Sequence, residues 1–300
     1  MSVQPSTLSN EEFHTMVNAS RSRRVLISRV MLVLCGLAFV LVVSPLAGLM
    51  YELVRLGSKW VFSSAFYLQT PRPADLFHLN RIGGVSNAIV GSIVLAIYSS
   101  VIAVPLGVLA GLYLAESRTK LANMIRVSAA LLAGLPSILV GLFAFIVFIR
   151  KFGIPQSAIV GAIAIAILML PVIAVTTEAA ISEVPGTLRE AALALGAGPA
   201  KVAVKVVLPV ARPGIVSGIV LALSRAVGET APVLFVIGGS SKVGWSPTSS
   251  ISSLPFYIYG EITSQYAANR SEAWGIALLL VVTVFALSIT SRLLATRKKR

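Results

Sequence analysis

Long stretches without a charged residue are the feature that most constrains this chain. Five such runs contain between 19 and 34 residues each, namely 30–51, 82–115, 127–149, 152–176 and 273–291. An α-helix rises about 1.5 Å per residue, so each run is long enough to cross a hydrocarbon core of about 30 Å. A sixth apolar stretch, from about Pro213 to Gly238, is interrupted by Arg225 and Glu229. The runs predict an all-α integral membrane protein with six transmembrane helices.

The composition supports a membrane protein and excludes several other classes. Hydrophobic residues make up 56% of the chain and charged residues 12%, whereas charged residues are about 25% of a soluble domain. The first 28 residues are polar, and the apolar run after them is too long for the core of a cleaved signal peptide. The single cysteine, Cys35, lies inside that run, so the chain can form neither an internal disulfide nor a thiolate metal site.

The distribution of basic residues predicts the orientation in the membrane. The net charge is +14. With both termini on one side, that side collects sixteen of the 25 basic residues, the other side eight, and Arg225 stays within the membrane. Basic residues are enriched on the cytoplasmic side, so we expect both termini in the cytoplasm. The basic excess is then an orientation signal with added attraction to anionic lipid, not a nucleic-acid footprint.

This orientation divides the chain into a cytoplasmic tail, a helical domain and a second tail. We expect a cytoplasmic tail over 1–28, a six-helix permease domain over 29–295 and a basic cytoplasmic tail over 296–300. Within the domain, helix one ends near Val54 and helix three exits near Ile149, with a packing kink expected where Pro136 interrupts it. Three links are longer than a turn: two predicted external loops at 55–84 and 239–270, and a cytoplasmic link at 179–212.

The cytoplasmic link contains an unusually ordered sequence, EAALALGAGPAKVAVKVVLP, from Glu190 to Pro209. Helix formers precede a Gly-Ala-Gly-Pro break, and a second amphipathic stretch follows. One interpretation is an interfacial helix whose Lys201 and Lys205 reach lipid phosphates. The other is a coupling element seated in the groove of a partner protein, in which Gly196 and Gly198 allow a sharp bend and a close approach. The residues alone leave both open.

The same segment resembles the "EAA" loop of permease subunits in ATP-binding-cassette importers. The pattern is E-A-A, three residues, G, nine residues, I, any residue, L-P. Its matching positions here are Glu190, Ala191, Ala192, Gly196, Leu208 and Pro209, and Val206 replaces the isoleucine. The resemblance implies that this segment docks on a separate ATPase and transmits its motion.

Arg225 and Glu229 form a second constellation. They are four residues apart and therefore on one face of a helix. Arg225 lies about 18 Å along a helix that begins at Pro213, and a charge at mid-membrane costs about 2.5–3.5 kcal/mol on insertion scales. The pair can be a structural ion pair. It can also be part of an anion pathway in which the guanidinium binds oxyanion oxygens and Glu229 keeps that binding weak.

Three strings resemble the PstA-type permease subunits of bacterial phosphate importers: RAVGETAP from Arg225 to Pro232, GLPSILVGLF from Gly134 to Phe143, and VPGTLREAALALGA from Val184 to Ala197. The sister PstC-type subunit also has R-A-x-G-E-T but usually continues with Met. The resemblance covers about residues 80–295. It implies the type I importer (MetI-like) fold, a bacterial cytoplasmic membrane, and a substrate pathway at Arg225, Glu229 and Thr230.

The implied partners are a PstC-like permease, a PstB-like ATPase dimer and an external phosphate-binding protein, with no cofactor. Nucleotide hydrolysis belongs to the ATPase, because no G-x-x-x-x-G-K-[ST] loop occurs in this chain; we therefore expect a transport subunit and not an enzyme. His14 and His78 have no ligand-spaced partner, so no metal site is expected. A permease for sulfate or molybdate, a secondary anion transporter, and a signalling subunit remain as alternatives.

Overall fold

Helices account for nearly all of the regular structure in the computed structural model, which describes residues 10–70 and 84–296. The eleven helices of the described residues are α1 Asn10–Val61, α2 Ser64–Leu68, α3 Ser86–Glu116, α4 Lys120–Gly134, α5 Ser137–Ala144, α6 Ala158–Ser182, α7 Gly186–Ala194, α8 Pro199–Val202, α9 Leu208–Gly228, α10 Leu254–Ile262 and α11 Ala267–Thr296. π-Helical turns continue α5 over Phe145–Lys151 and join α8 to α9 over Ala203–Val207.

Five unbroken helical segments are long and apolar enough to cross a membrane, and a sixth span results if the bent pair α4–α5 counts as one. The unbroken segments are Ile27–Val61, Ser86–Glu116, Ala158–Ser182, Pro199–Gly228 and Ala267–Leu293. They correspond to five of the six predicted spans, and the bent pair to the third. The predicted fold class, an all-α protein with multiple transmembrane helices, is confirmed.

The chain forms two compact units, residues 1–54 and 55–300. The first unit consists of most of α1, which begins at Asn10 and becomes apolar enough to span a membrane from Ile27. Its extension has a local cause, because neither glycine nor proline occurs between residues 6 and 35 and nothing in the backbone stops a helix there. The predicted loop at 55–84 and the predicted tail at 296–300 lie partly outside the described residues.

The third predicted span is not one helix. It breaks at Leu135 and Pro136, and α4 and α5 meet at an angle of 100°. A residue before proline is pushed out of the α-helical region, and Leu135 accordingly has φ −70° and ψ 136°. Proline also lacks the N–H that would continue the helical hydrogen bonds. The interruption predicted at Pro136 is therefore present, and it is a break of 100° and not the packing kink that the sequence favoured.

The fifth predicted span, Pro213 to Gly238, is displaced along the chain. The helix α9 ends at Gly228, and Glu229 leaves the helical conformation with ψ 122°. At its other end α9 is preceded by α8 and the π-helical turn, so the apolar helix runs from Pro199 to Gly228. Arg225 thus lies in the last turn of a span, whereas the sequence placed it in the middle of one.

The chain after α9 folds back into the bundle without forming a helix long enough to span. Val233, Val236 and Ile237 are fully buried. Carbonyl groups of this segment accept the first amide hydrogens of α6: Ser157 N–H donates to Val236 O at 2.9 Å and Ile159 N–H to Pro247 O at 2.8 Å. The start of a helix leaves such donors unpaired, and irregular backbone at membrane depth is tolerated where protein buries it.

Small residues bring α3, α6 and α9 into close contact. A Cβ atom at Gly107 would lie 2.8 Å from Cβ of Ile173, and one at Gly214 would lie 2.8 Å from Cβ of Ala180. A Cβ at Gly111 would lie 2.5 Å from Cβ of Thr177. Glycines at helix interfaces allow this approach, and membrane helices associate largely through such packing. The backbone of α6 is therefore held between α3 and α9.

Substitution of Gly111 by alanine tests this packing. We expect Gly111→Ala to lower the stability of the purified chain by about 1–3 kcal/mol, because overpacking forces neighbouring groups apart. Gly260→Ala in α10 is the control, since a Cβ there meets no atom within 4 Å. Thermal unfolding in detergent measures both. Equal unfolding temperatures for the two variants would contradict the close approach of α3 and α6.

Candidate functional site: a charged pair and a coupling segment

Arg225 and Glu229 form an ion pair at the end of α9. The Arg225 Nε donates to Glu229 Oε1 at 3.3 Å. The side chains differ in burial, since 51% of the arginine but only 14% of the glutamate is exposed. The sequence predicted that both face a bundle interior or a wet cavity, and the structure buries the carboxylate and leaves the guanidinium half exposed on the surface of the chain.

The surroundings of Glu229 place it deep in the bundle. A narrow cleft is lined by Glu229, by Ser99 of α3 and by Ile165 of α6. The cleft meets α3 from Ser92 to Ser99, the 7th to the 14th of its 31 residues, so Glu229 lies beside the first half of that helix. Thr230 follows directly, half buried, and its carbonyl accepts the Leu234 N–H at 3.3 Å. The three predicted pathway residues therefore lie together at one turn of the chain.

The geometry of the pair leaves part of the guanidinium available. Only Nε of Arg225 has a hydrogen-bond partner among the described residues. The two terminal nitrogens are the edge that binds a carboxylate or phosphate with two parallel hydrogen bonds. Glu229 can therefore hold Arg225 in place while that edge receives an oxyanion, without having to release the arginine first.

The coupling segment begins with α7, which lies on the bundle by one face. Ala192 packs against a buried cluster that includes Ile181, Val184 and Val202. Glu190 and Ala191 are exposed on the opposite side of α7. The three residues of the E-A-A string thus have distinct positions: a charged and a small residue point outward, and a small residue points inward where space is short.

Gly196 ends α7 in a Schellman motif. Its φ is +80°, and the amide hydrogens of Gly196 and Ala197 donate to the carbonyls of Leu193 at 2.9 Å and Ala192 at 3.1 Å. A left-handed residue at this position is usually glycine, because a Cβ is strained there. Gly198 has an ordinary φ of −68°. The sequence assigned the bend to both glycines, but only Gly196 needs the conformation.

The second half of the motif lies at the start of α9. The Leu208 N–H donates to Ala203 O, five residues earlier, in the π-helical turn. Pro209 follows and has no N–H to donate to the α-helical hydrogen bonds. The π-helical turn therefore lies directly before the first break in that hydrogen bonding. Leu208 packs against the same buried cluster as Ala192. Both ends of the predicted motif therefore meet on one core.

Two ion pairs brace this end of the bundle. Arg189 of α7 contacts Glu116 at the end of α3 at 2.6 Å, and Arg126 of α4 contacts Glu178 of α6 at 2.6 Å. The sequence analysis counted these arginines only as orientation signals. The acidic residues at the ends of two predicted spans were a signal that the arginines have partners, although the pairing itself depends on the fold.

The coupling segment exposes apolar side chains. Leu195, at the end of α7, is 89% exposed, and Leu188 and Leu193 are also exposed. Large apolar groups on a water-facing segment indicate a surface that a partner covers. Among the described residues no group of three or more His, Cys, Asp or Glu could hold a metal ion. The His14 side chain and His78 lie outside the described part of the chain.

Comparison with known proteins identifies the class. Residues 103–300 match the family described as "Binding-protein-dependent transport system inner membrane component", and the chain belongs to this family. It is a membrane permease subunit and not an enzyme, as predicted. Membership implies a substrate-binding protein and an ATPase as partners.

Among its relatives is "Phosphate transport system permease protein PstA 1" of Mycobacterium tuberculosis, which is 37% identical over 268 residues, covering 88% of this chain and 86% of the relative. The PstA protein of Haemophilus influenzae is 34% identical over 269 residues, covering 88% and 93%. The predicted resemblance to PstA-type permeases is confirmed.

Solved transporters show the same fold. A chain of the inward-facing MetNI methionine ABC transporter aligns with a TM-score of 0.52 and 25% identity, covering 72% of this chain and 95% of that chain. A chain of a bacterial alginate ABC transporter complex aligns with a TM-score of 0.60 over 93% and 96%, at 15% identity, which speaks for the fold alone. The predicted MetI-like permease fold is confirmed.

The Schellman motif gives a direct test of the coupling segment. We expect Gly196→Ala to destabilise the end of α7 by about 1–2 kcal/mol, because alanine is strained at positive φ. Amide hydrogen exchange across 190–202 measures it as faster exchange. Gly198→Ala is the matched control, since its φ is ordinary and a Cβ there meets no atom within 4 Å. Equal protection in both variants would rule out the left-handed cap.

Proposed function

We propose that this chain is the PstA-type permease subunit of an ATP-driven importer of inorganic phosphate in a bacterial cytoplasmic membrane. Both termini lie in the cytoplasm. A PstC-like permease supplies the other half of the pathway, a PstB-like ATPase dimer binds the coupling segment, and an external phosphate-binding protein delivers the anion. The relatives named for phosphate transport support this proposal.

The observation that carries the substrate assignment is the open guanidinium of Arg225. It is half exposed and anchored through Nε by a largely buried carboxylate. A second permease facing this surface would enclose the arginine in the pathway between the two subunits. Phosphate has the oxygen spacing that a guanidinium binds with two hydrogen bonds. The carboxylate limits the affinity by repelling the anion, so that it can leave again.

Coupling follows from the exposed face of the EAA segment. A partner that binds Leu195 and the outward face of α7 moves α7 together with the buried cluster beneath it. That cluster is joined to α9 through Leu208. The braces from Arg189 and Arg126 hold α7 and α4 to the ends of α3 and α6. A push on α7 is therefore passed to the helices that carry the charged pair and not absorbed in a loose loop.

Replacement of Arg225 tests the pathway. We expect Arg225→Gln to reduce uptake of radiolabelled phosphate in phosphate-starved cells by about 10-fold to 100-fold, because the variant loses the free energy of charge-assisted hydrogen bonds to the anion. Arg212→Gln is the matched control, because Arg212 is an exposed arginine of the same helix. Co-purification of the ATPase shows whether the complex still assembles. Normal uptake by an assembled Arg225→Gln complex would refute the anion role.

The substrate is tested with the reconstituted complex. We expect phosphate with its binding protein to stimulate ATP hydrolysis, whereas sulfate or molybdate with their binding proteins do not. Stimulation by one of those oxyanions alone would assign the chain to that substrate instead.

The docking surface is tested by Leu195→Gln. We expect the ATPase to be lost from the purified complex, because burial of a leucine contributes about 1.5–3 kcal/mol. Val243→Gln changes an exposed apolar residue of the other predicted side and should retain the ATPase. Full retention and normal coupling in Leu195→Gln would show that the ATPase binds elsewhere.

A further inference from the structure

A polar cavity of about 440 Å³ opens beside the coupling segment, where the end of α3, the start of α4 and the end of α6 meet. Its polar lining consists of Arg118, Thr119, Asn123, Arg126, Glu178 and Ser182. None of these residues belongs to the charged pair or to the EAA motif. The cavity is therefore distinct from the candidate transport pathway.

The charges in the cavity favour an anion. Its wall has two guanidinium groups and one carboxylate. Glu178 Oε1 accepts hydrogen bonds from Arg126 Nε at 3.2 Å and Nη2 at 2.6 Å, which fixes Arg126 against the wall and neutralises it. Arg118 has no hydrogen-bond or ion-pair partner in the described part of the chain. Arg118 is itself exposed, so one uncompensated positive charge lies on the open wall of the cavity.

The backbone reinforces this positive charge. The helix α4 begins at Lys120, so the cavity lies at the positive end of its dipole, which favours anions. Thr119 caps that end by accepting the Ala122 N–H at 3.2 Å. The Asn123 amide group also lines the cavity and has no side-chain partner among the described residues. Arg118, Asn123 and the free Nη1 of Arg126 are the hydrogen-bond donors of the cavity wall that have no partner among the described residues.

We propose that this cavity binds a phosphate group, carried either by an anionic phospholipid or by free inorganic phosphate. Basic pockets between helices near a membrane interface bind acidic lipid head groups, and a free phosphate offers the same oxygens. The occupant would connect α4 to Ser182, the last residue of α6. Because α7 begins at Gly186, this bridge lies directly before the coupling segment.

Binding to the full-length chain in neutral detergent tests the proposal. Native mass spectrometry measures retention of added phosphatidylglycerol, and equilibrium dialysis measures radiolabelled phosphate. All variants are made on an Arg225→Gln background, so that binding at the proposed pathway does not contribute. We expect Arg118→Gln to weaken binding of at least one ligand by roughly 10-fold. This substitution breaks no contact among the described residues, so the variant should fold.

Arg212→Gln is again the control and should bind as the Arg225→Gln parent does. Binding of phosphatidylglycerol alone identifies a lipid site, binding of phosphate alone identifies a site for the free anion, and either supports the proposal. Two results would overturn it. One is that the Arg225→Gln parent binds neither ligand more strongly than the Arg118→Gln variant does. The other is that Arg212→Gln weakens binding as much as Arg118→Gln. Neither result depends on whether the chain transports phosphate.

Discussion

The helix α9 is the element on which the rest of the arrangement depends, and Pro213 near its start lacks an amide hydrogen to donate. The EAA motif ends at its first residues, Leu208 and Pro209, and Arg225 lies in its last turn. The 17 residues from Pro209 to Arg225 correspond to about 26 Å of helix. Close contacts at Gly214 and Gly218 hold α9 against α6. A displacement applied at the coupling segment therefore reaches the charged pair through one rod, which cannot shorten without breaking its hydrogen bonds.

The end of that rod explains how a charged pair is tolerated inside the bundle. A carboxylate as deeply buried as Glu229 needs a counter-charge, since an isolated buried charge is strongly unfavourable. Arg225 provides it from one helical turn away, through a single nitrogen. The same contact leaves the outer edge of the guanidinium open. The pair is consequently stable without an anion and still able to receive one.

The sequence predicted the membrane-spanning helices, because a bilayer restricts what a span can be. It did not predict where a helix ends when that end depends on a single break in the backbone. Runs such as 82–115 located their spans because a bilayer accepts little else than apolar helices. The break at Glu229 was missed because apolar residues continue on both sides of it, whereas at Pro136 the sequence predicted an interruption but not its angle of 100°. For the site, the positions of Glu190 and Gly196 could be predicted from spacing. The partners of Arg126 and Arg189 could not, since residues 52 and 73 positions away provide them.

The physical content of the EAA pattern becomes clear only in three dimensions. Gly196 is required by a positive φ and Ala192 by the buried cluster beneath α7, whereas Ala191 is exposed on the outward face. The pattern thus describes a helix that fits closely on the bundle and leaves its other face open. Such a helix passes a displacement on to the bundle, provided that its base, the part of the bundle beneath it, does not yield. The base is the end of α6, where Glu178 and Ser182 line the basic cavity, so an anion bound there would act on the stiffness of the coupling element itself.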